Sequence, residues 1–117
     1  MDSASIKTAI LKYHEETWNK GNYDYVDKFL APNYVGIDMS TGKTDGRDDY
    51  KQRPPFTNLH IDLTDITVEG DRAAFRWAAS GNNAEGKLVK VVGISMYIFE
   101  DGMVVKGFSL NAMLPTE

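Results

Sequence analysis

A chain of 117 residues, 42% hydrophobic and 26% charged, suffices for one globular domain with its own core. Its 13 basic and 17 acidic residues leave a net charge of −4 with scattered lysines, so a nucleic-acid surface is not expected. The absence of cysteine excludes disulfides, thiolate catalysis and cysteine-bound metals.

No apolar run reaches the roughly 20 residues that a membrane span requires, and the polar start Met1-Asp2-Ser3-Ala4-Ser5 does not read as a signal peptide. A cytoplasmic protein with no membrane contact is therefore expected. His14 and His60 are the only imidazoles, and their neighbours form no metal-binding spacing, so no metal or other cofactor is expected.

In chain order, Ser3 or Ser5 is placed to cap a helix in which Ile6, Ala9, Ile10, Tyr13 and Thr17 recur at steps of three and four, with Gly21 as its stop. Leu11, His14 and Trp18 form an adjacent stripe. Asn22 then caps a second helix through Tyr25, Val26, Phe29 and Leu30, ended by Pro32. A short strand, Tyr34-Val35-Gly36-Ile37-Asp38, follows. The segment 45–53 reads as a third, short helix halted by Pro54-Pro55, with Asp48 and Asp49 in its first turn, where carboxylates favour the helix dipole.

Beyond Phe56 the pattern changes to strands separated by turn residues: 59–68, 73–80, 87–99 and 103–110, with Glu69-Gly70-Asp71, Gly81-Asn82-Asn83 and Glu100-Asp101-Gly102 between them. Helices first and an antiparallel meander after is an α+β arrangement. On strand 73–80, Phe75, Trp77 and Ala79 share one face, the better candidate for a cavity wall under the helices, while Ala74, Arg76 and Ala78 share the other. No repeat or linker marks a second domain, so residues 1–117 are read as one.

Six strings in this order carry a resemblance: Trp18-Asn19-Lys20-Gly21-Asn22, Leu30-Ala31-Pro32-Asn33-Tyr34-Val35, Gly46-Arg47-Asp48-Asp49-Tyr50, Val68-Glu69-Gly70-Asp71-Arg72, Arg76-Trp77 and Phe99-Glu100-Asp101-Gly102. Together they resemble the SnoaL-like polyketide cyclases of the NTF2-like superfamily, roughly from Ile6 to Leu110. The resemblance implies a cone-shaped α+β barrel, with N-terminal helices packed over a curved antiparallel sheet that encloses an apolar pocket. It also implies a homodimer packed through the sheet. The scaffold hosts cyclases, isomerases, dehydratases, epoxide hydrolases and non-catalytic binders, so fold alone does not give function.

Where SnoaL-like cyclases carry a histidine before the short-strand aspartate, this chain has Ile37. Where they carry a histidine and then an aspartate on the last strand, it has Gly107 and Asn111-Ala112. The resemblance to ketosteroid isomerases of the same superfamily places Asp38 at the position of their general base. In that alignment His14 and Ser95 fall near the oxyanion donors, so the implied constellation is Asp38 as acid or base, with His14 and Ser95 donating to an enolate oxygen. Trp18, Tyr34, Tyr50, Phe56, Trp77, Phe108 and Asn111 complete the expected pocket lining with Ser95. The bland alternatives are a packing role for His14 and a turn role for Asp38.

The functional expectation is a small hydrophobic carbonyl compound, bound and turned over without a cofactor by cyclisation, isomerisation or dehydration at Asp38. A non-catalytic binding module and a dimeric assembly domain are the alternatives.

Overall fold

The computed structural model describes residues 1–115. Helix α1 (Ser3–His14) is capped by Asp2, whose carboxylate accepts from the Ser5 amide at 2.8 Å. The cap is thus Asp2, ahead of both serines, because an extended aspartate has the better-placed acceptor. The helix continues as a π turn (Glu15–Asn19), in which the Lys20 amide bonds the Glu15 carbonyl, and Gly21 ends it in the left-handed region at φ 74°.

The second helical segment is shorter than its periodicity predicts. A 3-10 turn (Tyr23–Tyr25) leads into α2 (Val26–Phe29), and Leu30 is already extended. Pro32 disfavours helical geometry in the residue before it, so strand β1 (Leu30–Asp38) takes over the end of the expected helix. The expected helix over 45–53 is likewise divided into a short strand β2 (Thr44–Gly46) and a 3-10 turn (Arg47–Lys51). Asp49 accepts from the Gly46 amide at 2.8 Å, capping that turn.

The long strands are β3 (Thr57–Glu69), β4 (Arg72–Asn82), β5 (Leu88–Glu100) and β6 (Met103–Leu114). They form one six-stranded sheet in the order β2-β1-β6-β5-β4-β3. The sheet is mixed rather than wholly antiparallel, since β1 runs parallel to β6, and it is not closed, with β2 and β3 at its edges. A chain that crosses from α2 into β1 beside the last strand has no hairpin to reverse it, which is why that one pair is parallel.

The core lies between α1 and the concave face of the sheet. Ile6, Ile10 and Tyr13 from α1 meet Val26, Phe29 and Leu30, and below them Phe75, Phe99 and Val104 from the strands. Tyr13 stacks on Phe29 with ring centres 4.3 Å apart, and His14 sits edge-on to Phe75. Burial of this apolar set drives α1 onto the sheet; a buried aromatic or branched side chain contributes about 1.5–3 kcal/mol.

Candidate ligand cavity

Where the apolar core gives way towards the C-terminal half of α1, a cavity of about 310 Å³ remains between helix and sheet. This is near the lower end of ligand pockets, which run from roughly 300 to 1,000 Å³. His14 and Trp18 line it from the helical side, Trp77, Ser95 and Asn111 from the sheet, and Tyr34, Tyr50 and Phe56 complete its wall. Phe108 borders it too, but out of phase with Gly107, Ser109 and Asn111 on β6. Its ring centre lies 5.7 Å from Lys106 Nζ.

Asp38 is the exception among the residues named from sequence. It closes β1 at the open end of the sheet, and its carboxylate accepts from the Ser40 amide at 2.9 Å and the Ser40 hydroxyl at 2.7 Å. The Ser40 hydroxyl, then its amide, hold the Asp38 carboxyl below the usual carboxylate range. The carboxylate expected inside an apolar pocket is therefore a turn-capping, ionised group outside the cavity lining. Met39-Ser40-Thr41-Gly42 supplies the donors that hold it there, with the Gly42 amide closing the turn onto the Asp38 carbonyl at 2.7 Å.

His14 is buried, and its Nδ1 lies 2.8 Å from the Ile10 carbonyl. A carbonyl only accepts, so Nδ1 carries the proton and Nε2 presents a lone pair. Burial pushes the imidazole down to about 4, the Ile10 bond offsetting this only in part, so the ring is neutral near pH 7. The role of oxyanion donor implied for His14 by the resemblance is thus reversed: the ring is a hydrogen-bond acceptor.

Ser95 keeps its expected polarity. Trp77 Nε1 donates to Ser95 Oγ at 3.0 Å, which occupies a lone pair and leaves the serine proton to point elsewhere. The indole reaches this position because it lies across Gly93, where a Cβ would collide with its ring.

Tyr13 and Tyr97 also line the cavity. In the sequence Tyr13 reads as one more apolar position of the helix stripe. Tyr97 stands two residues after Ser95, so strand alternation alone could have placed it on the same face. Burial raises both phenols above their ordinary value, and raises Tyr34 to about 12. All three are neutral phenols in this cavity. No Asp or Glu borders it, and among the described residues no three His, Cys, Asp or Glu side chains gather as metal ligands.

The fold and site define a class: an α+β cone whose helices close an aromatic cavity against a curved sheet. The SnoaL-like domain family matches residues 10–107, and the chain belongs to that family, within the NTF2-like superfamily. Among solved structures it is similar to a protein of Acidithiobacillus ferrooxidans provisionally assigned as a polyketide cyclase. The two are 22% identical with a TM-score of 0.79, over 95% of this chain and 91% of that one. AclR of Streptomyces galilaeus, provisionally assigned as a hydroxylase, is 19% identical with a TM-score of 0.81, over 97% and 83%. IdmH of Streptomyces antibioticus, also provisionally a polyketide cyclase, is 19% identical with a TM-score of 0.75, over 90% of each chain. No curated protein sequence gives a significant match. At these identities the likeness establishes the fold, which two different activities share here. No helix among the described residues is long and apolar enough to cross a membrane.

Proposed function

We propose that this chain binds a small, largely apolar compound bearing a carbonyl or hydroxyl oxygen, held between α1 and the sheet. The observation that carries this reading is the polarity of two groups in the wall of a mostly apolar and aromatic cavity: His14 Nε2 is free to accept and the Ser95 hydroxyl to donate. A ligand hydroxyl pairs with the first and a carbonyl oxygen with the second, and the aromatic walls supply most of the affinity. Acid-base turnover of the cyclase or isomerase kind is the second reading, favoured by the imidazole in the wall. A neutral ring pushed down to about 4 is, however, a better acceptor than base.

The test is titration with 2-acetylnaphthalene and 1-naphthol, followed by Trp18 and Trp77 fluorescence and by melting temperature. Saturable quenching with a raised melting temperature is expected, and Ala79→Phe, which fills the cavity, should abolish both. Absence of saturable binding by any aromatic ketone or phenol in a panel would remove this reading. For a compound that does bind, recovery unchanged identifies a binder. Conversion that His14→Gln eliminates identifies an enzyme.

The same proposal includes a homodimer through the outer face of the sheet. That face exposes Ile94 and Leu110, which line a shallow groove with Val92 and Ala112 rimmed by Asp62, Thr64 and Arg76, and exposed apolar surface within a polar rim favours association. Sedimentation velocity should give a dimer that Leu110→Asp converts to monomer; a wild-type monomer at high concentration refutes the assembly.

A further inference from the structure

Strand alternation turns Tyr97 of β5 to the same face as Ser95, about 7 Å further along the strand, and both line the cavity. Tyr97 pairs directly with Ala73 on β4 and Gly107 on β6, so its neighbours across the sheet bring no polar side chain to it. Three rings hold its own in place: Phe75 at 5.3 Å between centres, Phe29 at 5.4 Å, and His14 at 6.4 Å and 27° from parallel. Tyr97 thus stands where the cavity meets the core.

Its hydroxyl makes no hydrogen bond to any described residue. Nor does His14 Nε2, because the Ile10 carbonyl holds only Nδ1. Neither atom is sealed in packing, so both open into the cavity, one from α1 and one from β5. Their chemistry selects the group that completes them. Neutral His14 Nε2 has a lone pair and no proton, so its partner must donate. The Tyr97 proton has no acceptor in the protein, so its partner must accept. A ketone, an ether or an ionised phenol fails the first requirement and an ammonium group the second, whereas a hydroxyl meets both. Two hydrogen bonds of about 2.8 Å that share one oxygen span up to roughly 5.6 Å, the scale on which the two rings are separated.

We propose that Tyr97 is a specificity-determining residue of this cavity: a ligand hydroxyl donates to His14 Nε2 and accepts from Tyr97 Oη, while a carbonyl on the same molecule accepts from Ser95. The ligand class is then a hydroxyaryl ketone, with its hydroxyl turned to the core and its carbonyl further along β5. The inference rests on the binding reading above, and adds which end of the molecule lies where. A water molecule completes the same pair of atoms when no ligand is bound, and the ligand hydroxyl replaces it with its own donor and acceptor. A compound that fills the space with an apolar group instead leaves both atoms without partners.

The probes are 4-hydroxyacetophenone and 4-methylacetophenone, which exchange a hydroxyl for a methyl group of similar size, titrated by calorimetry. The wild type should bind the hydroxy compound about tenfold more tightly. Tyr97→Phe keeps the ring and removes only the hydroxyl, and should cut this preference to about threefold or less. A merely structural Tyr97 would change both affinities by the same factor and leave the preference intact, and that result overturns the proposal. Ser95→Ala should weaken both ketones alike and preserve the preference; its loss there would put the hydroxyl at Ser95 and overturn the proposed orientation. Equal affinity of the wild type for the two compounds refutes the hydroxyl subsite and leaves the cavity reading standing. Failure of the wild type to bind either compound counts against the cavity reading itself.

Discussion

The Trp77 indole lies across Gly93 and donates to Ser95 at 3.0 Å, so that one glycine decides both the shape of the cavity on its sheet side and the direction of its serine hydroxyl. Gly93→Ala places a methyl group where the ring now sits. The ring must tilt, the bond to Ser95 is lost, and overpacking of this kind costs about 1–3 kcal/mol. The expected outcome is a lower melting temperature, a shifted tryptophan emission maximum and weaker binding of aromatic ketones. Ser95→Ala should weaken ketone binding with a smaller loss of melting temperature than Gly93→Ala, because it removes the donor and leaves the Trp77 N–H without its acceptor but does not displace the ring.

Asn19 ties the end of the first helix to the edge strand. Its amide accepts from the Ile61 N–H at 2.7 Å and donates to the Ile61 carbonyl at 3.1 Å, as a neighbouring strand would. Asn19→Leu leaves both Ile61 groups without these partners at a half-buried site. The loss should be about 1–3 kcal/mol in urea or thermal unfolding. Faster hydrogen exchange of the Ile61 amide would show that the damage is local; an unchanged midpoint and unchanged exchange would contradict this role.

The buried His14 makes stability fall in mild acid. Its folded pKa, about 4, lies below the ordinary imidazole value of 6.5, so between these values the unfolded chain binds a proton that the folded chain refuses. The penalty is absent above about pH 6.5 and grows as pH falls towards 4, to on the order of 3 kcal/mol. The carboxylates of Asp2, Glu16, Asp27 and Asp38, all held below their ordinary values, act at lower pH and in the same direction. Chemical denaturation at a series of pH values should therefore show a decline beginning near 6.5 in the wild type. His14→Gln should flatten it down to the carboxylate range.

The chain's own pattern carries the α+β order, the face of β4 that lines the cavity and the family, because these follow from local periodicity, turn residues and motif order. It also named most of the cavity wall, since Trp18, Trp77 and Ser95 keep their faces once strand and helix phases are known. How the polar atoms meet depends on three-dimensional packing. Asp38 lies outside the cavity lining, its carboxylate held by the Ser40 amide and hydroxyl. His14 became an acceptor because the Ile10 carbonyl takes its proton. Asp45, read within a helix start, accepts from the Tyr50 hydroxyl because strand pairing set it across from Gly36 and within reach of that ring. Such contacts join residues of different elements through register and side-chain reach, and no periodicity in a single sequence encodes the distance between them.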